Sequence, residues 1–174
     1  LRLRPVLRGG DQERARRAGL EHAAGIAGFA AACAALAADP VGAEGTRNRL
    51  VAEAAEARRL TDRVRALAAA LDGVTVFGPE APDERLPHLV CLGLAGVEPQ
   101  PVLLGLDRAG VAVHSGSSCS SEALEPSPVL AAMGVDAHRS LRVSVGWSST
   151  DADVDALAAE LPPILDQLRA LATR

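Results

Sequence analysis

Ser115, Gly116, Ser117, Ser118, Cys119, Ser120 and Ser121 place one thiol among hydroxyls and a glycine. No charged or bulky apolar side chain in that heptad would bury or anchor Cys119, and Gly116 is expected to free the backbone. Such a segment suits a nucleophile that serves two places in turn. The thiolate is the reactive form, and a thiol of ordinary pKa is only about a few per cent ionised at pH 7. His114 is the nearest titratable group, and a polar residue at a strand end is the simpler reading of it. An incidental cysteine in a surface loop remains the competing reading of the heptad. Leu124-Glu125-Pro126-Ser127 follows.

Arg142 is the second candidate. It sits among alternating apolar residues, Leu141, Val143 and Val145, on the polar side of an expected strand. A guanidinium fork there could hold a carboxylate in bidentate geometry. Pairing with an acid of a neighbouring helix is the plainer alternative. The chain has eighteen basic residues, all arginine. Without lysine, no side-chain amine can form a Schiff base with an aldehyde cofactor. Cys33 and Cys91 lie in apolar stretches and read as small core residues. His22, His88, His114 and His138 share no ligand spacing, so no metal site is expected.

Those candidates need elements to hold them. Hydrophobic residues make up 48% of 174 and aromatics 2%, so the core must be Ala, Leu and Val. Net charge is −4 with the arginines interspersed among acids, which gives no footprint for nucleic acid. No apolar run approaches the ~18 residues that cross a bilayer. Three widely spaced cysteines suggest a reducing cytoplasm rather than a disulfide framework. The chain begins without Met, which suggests an excised or trimmed segment, with maturation as the alternative.

Residues 1–20 read as an extended leader, a Gly9-Gly10 turn and a charged stretch. From Glu21 to about Ala38, Ile26, Phe29, Cys33 and Leu36 mark one helix face. A second helix spans about Glu44 to Leu71, with Leu50, Ala57, Leu60, Val64, Leu67 and Leu71 as its stripe, and Asp72-Gly73 stops it. Val74–Phe77 and Leu89–Leu94 read as strands. A helix follows from Val97 to about Ala109, then a strand at Val111-Ala112-Val113. Ser127-Pro128 starts a short helix with a capping serine. Leu141–Val145 is a strand, and Thr150 with Asp153 opens a last helix that Pro162-Pro163 should kink or break. The sum is an α+β fold, a small and mostly antiparallel sheet covered by helices.

The stretch from Gly110 through Val113-His114 to Ser121, with Leu124-Glu125-Pro126-Ser127 behind it, resembles the catalytic-cysteine loop of cysteine desulfurases. These belong to the bacterial iron–sulfur assembly and nitrogen-fixation type, in the class V aminotransferase superfamily. Leu141-Arg142-Val143-Ser144-Val145-Gly146 is similar to the family strand whose arginine binds the substrate carboxylate. Gly9-Gly10-Asp11-Gln12-Glu13 with Arg17-Ala18-Gly19, Leu86-Pro87-His88 and Leu103-Leu104-Gly105-Leu106-Asp107 also fall in family order. The resemblance covers essentially the whole chain.

It implies the small C-terminal domain of a fold-type I pyridoxal-phosphate enzyme. Residues 1–20 would be a remnant of the large cofactor domain, and 21–174 the small domain with its catalytic loop at 114–125. The full-length homodimer would convert L-cysteine to L-alanine, hold the sulfur as a persulfide on Cys119, and pass it to an acceptor or iron–sulfur scaffold protein. Arg142 would bind the substrate. Leu20 stands where the family has a phosphate-contacting threonine, His22 where asparagine is usual, and His114 where a small residue is common. The isolated chain is expected to be inactive, to hold no covalent cofactor and to expose apolar surface. A selenocysteine lyase-like transferase and a non-enzymatic module that accepts a persulfide or docks a scaffold are the alternatives.

Overall fold

The structure is a computed structural model that describes residues 4–37, 49–116 and 127–172. The chain divides into two compact units, Leu1–Leu50 and Val51–Arg174.

The first unit opens with a left-handed turn, α1 (Gln12–Ala15), in which Glu13, Arg14 and Ala15 take φ of 51, 59 and 59°. Left-handed backbone costs an L-residue roughly 1–2 kcal/mol. The preceding Gly9 and Gly10 take positive φ without that cost. The Arg17 guanidinium donates to the Gly19 carbonyl at 2.6 Å and pairs with Glu21 at 3.4 Å, which fastens the exit from the turn. Helix α2 (Ala23–Ala37) is alanine-rich and uncharged. Its expected buried stripe is exposed instead: Ile26 and Phe29 face solvent and so does Cys33. Helical periodicity tells which residues share a face, not whether anything covers it. Cys33 is therefore not a core residue. Val6, Leu7 and Leu20 are exposed as well, as apolar surface in this part of the chain was expected to be.

The second unit is built on a four-stranded antiparallel sheet. Its strands are β1 (Val74–Phe77), β2 (Leu89–Leu94), β3 (His114–Ser115) and β4 (Ser140–Ser144), in the order β1-β2-β4-β3. One face carries Val90, Leu92, Leu94, Leu141 and Val143, all buried. Against it lie α3 (Arg49–Ala69) through Leu60, Val64 and Ala68, α4 (Pro99–Arg108) through Val102 and Leu106, and α6 (Asp151–Ala172) through Val154, Leu157, Leu161 and Leu165. Burying one such leucine is worth about 2 kcal/mol. The core is thus the aliphatic one that the scarcity of aromatics demanded. Buried Thr61 shares its hydroxyl proton between the carbonyls of Pro87 (2.9 Å) and Arg58 (3.1 Å), tying the loop before β2 to α3.

Local chemistry sets the element ends. Gly73 (φ 67°) turns the chain from α3 into β1, and its carbonyl accepts from Ala95 N–H at 2.8 Å. Pro99 occupies the first turn of α4. Helix α5 (Pro128–Ala132) is capped by Ser127, whose Oγ accepts from Leu130 N–H at 3.4 Å. At the start of α6 the Asp153 carboxylate accepts from both Thr150 N–H (2.7 Å) and Thr150 Oγ1 (3.0 Å).

Three further expectations differ from the structure. The strand before the cysteine segment is His114–Ser115, not Val111–Val113. Val111 N–H donates to Leu106 O at 2.8 Å, so the chain stays tied to the end of α4 and meets β4 only at His114. Helix α6 runs unbroken through Pro162 and Pro163, because Leu161 and Leu165 press both sides of the prolines onto the same core. Leu50, placed on the stripe of α3, is half exposed; that helix buries itself from Leu60 onward. Among the described residues no helix is long and apolar enough to cross a membrane.

Candidate functional site

Strand alternation puts Arg142 on the face opposite Leu141 and Val143, away from the helices. Antiparallel register then lines up a row across all four strands. Phe77 is the Cα partner of Cys91, Cys91 of Arg142, and Arg142 of His114. Directly paired residues point to the same side of a sheet, so Phe77, a thiol, a guanidinium and an imidazole share the open face. The Phe77 ring lies over Gly93, where a Cβ would collide with it.

A pocket of about 420 Å³ opens on this face. Arg142, Cys91 and Leu89 form its floor. Arg65 of α3, Arg85 and the chain from Phe77 to Pro79 form one wall. The other comes from Leu130 and Met133 with Gly116 and Ser127, the residues on either side of 117–126. Three guanidinium groups therefore border one cavity, and among the described residues no Asp or Glu lines it. Arg65 donates to Pro79 O at 3.3 Å, and Arg85 donates to Asp62 at 2.7 Å. An anion entering here meets net positive charge in a partly desolvated setting, where Coulomb attraction is stronger than in water. Burial pushes the Cys91 thiol up, and the charge of Arg142 offsets this only in part.

Of the residues singled out from sequence, Arg142 lies half-buried in the pocket. Ser115 is buried on the core side, opposite Leu141. Gly116 plays a different part from the one expected. It packs so closely that a Cβ would collide with Ser140 Oγ and Leu130 Cδ1, and its N–H donates to Ser140 O at 3.2 Å. Its lack of a side chain permits contact here rather than freedom. Ser117, Ser118, Cys119, Ser120 and Ser121 lie outside the described residues. Leu20 is exposed in the first unit.

Cys91 corrects a sequence reading: it lines the pocket instead of packing in the core. Its strand reads as one continuous apolar run, which hides the alternation. Parity with Arg142, once the two strands pair, would have revealed it. Arg65 and Arg85 went unnoticed for lack of any local signal, since they stand among many charged residues. Among the described residues no group of three or more His, Cys, Asp or Glu is placed to hold a metal ion.

This geometry can be set beside known proteins. The family model described as aminotransferase class-V matches residues 6–157. The cysteine desulfurase NifS of Azotobacter vinelandii is 38% identical over 97% of this chain, and a cysteine desulfurase of Klebsiella pneumoniae is 40% identical over 98%. The chain spans 40% and 41% of those two relatives. A NifS-like protein from Rickettsia africae ESF-5 shares the fold at a TM-score of 0.71 and 25% identity, over 95% of this chain and 41% of that one. The chain, with its helix-covered antiparallel sheet and its arginine-floored open face, belongs to the aminotransferase class-V family, among relatives named cysteine desulfurases.

Proposed function

We propose that this chain is the substrate-anchoring and sulfur-carrying part of a cysteine desulfurase. The observation that carries the reading is that Arg142 floors a pocket bordered by Gly116 and Ser127, the two ends of the segment that holds Cys119. Cys119 follows Gly116 by only three positions in the chain. Arg142 holds the carboxylate of L-cysteine as a fork. The Cys119 sulfur meets the sulfur of that substrate: one S–S bond forms, one C–S bond breaks, and L-alanine leaves with the thiol proton on its β-carbon. The products are L-alanine and a persulfide on Cys119, and the balance needs no added oxidant. The persulfide then passes to an acceptor or iron–sulfur scaffold protein, in the cytoplasm and from a homodimer.

The family's cofactor, pyridoxal phosphate, supplies the electron sink for C–S cleavage. The residues of this chain do not fit it. There is no lysine to join its aldehyde, and Leu20, exposed and apolar, offers no phosphate donor. That chemistry belongs to protein beyond these 174 residues, and the chain by itself is expected neither to retain the cofactor nor to release alanine. Cofactor absorbance that survives dialysis of the purified chain, together with turnover, would overturn this. The absence of lysine also favours a second reading, a non-enzymatic module that accepts a persulfide on Cys119. Exposing the purified chain to a persulfide donor and to L-cysteine separates the two. A module loads from the donor and completes its role unaided, whereas a desulfurase part also requires a cofactor-bearing remainder to load from L-cysteine.

A further inference from the structure

Cys91 shares the pocket floor with Arg142 and has no part in the sulfur chemistry above. The two are Cα partners across β2 and β4, and directly paired residues hold their Cβ atoms about 4.5–5.5 Å apart on one face. A carboxylate held in the Arg142 fork therefore brings a group two carbons away within reach of the Cys91 sulfur. The wall offers donors for a second anionic group. Arg85 gives one nitrogen to Asp62, but its Nε is buried and meets no acceptor among the described residues. Arg65 lines the same wall. Two carboxylates bridged by a disulfide match this arrangement, and L-cystine, the oxidised form of the substrate proposed above, is such a molecule.

We propose that Cys91 is a thiol–disulfide exchange site for small disulfides that carry carboxylates, with Arg142 positioning them. The proposal rests on the reading of Arg142 as a carboxylate anchor and adds a redox control of that anchor. The Cys91 thiolate attacks one sulfur of the disulfide, a new S–S bond forms and the old one breaks. The other half leaves as a thiolate and takes up the proton that Cys91 gave away; the incoming disulfide is the oxidant. The half that stays keeps its carboxylate at Arg142, so the adduct stands in the place of the substrate until a thiol reductant removes it. Burial holds the Cys91 thiol up, so a neutral disulfide, which gains no hold on Arg142, exchanges slowly there near pH 7.

The test uses full-length Cys119→Ser, which removes the competing thiol, and two reagents, dithiodipropionate and bis(hydroxyethyl) disulfide. The first has a carboxylate on each half and the second a hydroxyl, and neither has an amine to engage an aldehyde cofactor. Timed labelling with peptide mass analysis gives the rate ratio of the two reagents at each cysteine. Cys33, exposed on the uncharged helix α2, supplies the reference ratio. Relative to that reference, Cys91 should favour dithiodipropionate about tenfold, and the preference should shrink as salt rises. Arg142→Ala should bring the Cys91 ratio down to that of Cys33, and Arg142→Lys should keep part of it, because the charge survives without the fork. Unfolding of a variant would speed both reagents together, whereas loss of the anchor slows only the carboxylate reagent. Equal ratios at Cys91 and Cys33, or an unchanged ratio in Arg142→Ala, would overturn the proposal. Sulfur loading of Cys119 from L-cysteine is read separately in wild-type protein. Its absence with selective exchange at Cys91 retained would fault the desulfurase reading alone and leave the exchange site standing.

Discussion

Cys91 and Arg142 are Cα partners across β2 and β4, on the sheet face turned away from the helices. Fifty-one positions apart in sequence, they share one pocket floor because an antiparallel pair brings them opposite each other. The guanidinium draws the thiol toward ionisation, and burial opposes it more strongly. The Arg142 charge therefore does not cancel the effect of burial on its neighbour.

Arg142→Ala should raise the KM of the full-length enzyme for L-cysteine about a hundredfold, as expected when one partner of a charge-assisted pair is lost. Arg142→Lys should recover only part of this, since an ammonium lacks the planar fork. Steady-state kinetics against L-cysteine check both.

Cys91 should alkylate more slowly than the exposed Cys33. A raised thiol pKa means less thiolate at any pH near neutrality, and the gap should narrow as pH rises toward the Cys91 pKa. Timed iodoacetamide labelling with peptide mass analysis reads this directly.

Gly116→Ala should destabilise the protein by about 1–3 kcal/mol, because the new methyl group overpacks against Ser140 and Leu130. Ser140→Gly in the same chain should relieve part of the loss. Denaturant unfolding of the two single variants and the double variant measures the coupling.

Arg59 joins α3 to α6 through Asp151 at 2.8 Å and also bonds Glu56, while Arg63 pairs with Asp151 as well. The hydrogen bond from Arg59 is the largest influence holding the Asp151 carboxyl below its usual 3.8, and it does the same for Glu56. A carboxyl whose folded pKa is depressed adds stability above its unfolded value and loses it as pH falls through the folded one. Wild-type Tm should therefore drop more steeply than that of Asp151→Asn below about pH 4. The pair is solvent-exposed, so high salt should nearly erase the difference.

Features that rest on neighbouring residues could be read from the sequence. Ser127 before Pro128, Thr150 with Asp153, and Asp72-Gly73 before β1 each fixed an end through bonds spanning a few positions. Leu89–Leu94 emerged whole because Pro87 and Gly96 bracket it. Arg142 was legible from alternation. What escaped depends on pairing at long range. Cys91, Arg65 and Arg85 converge only through sheet order and the passage of α3 beside the loop at 78–86. Val111 missed the sheet because a helix-end carbonyl holds its N–H. Pro162 and Pro163 were outweighed by buried leucines on both sides. Cys33 lies on a periodic face that is exposed among the described residues.

The most direct measurement is the mass of the Cys119 peptide after full-length protein has been exposed to L-cysteine. The account predicts one added sulfur atom on Cys119, removable by reductant, and no alanine release from Cys119→Ser. Sulfur on Cys33 or Cys91 in its place, or undiminished alanine release from Cys119→Ser, would contradict it.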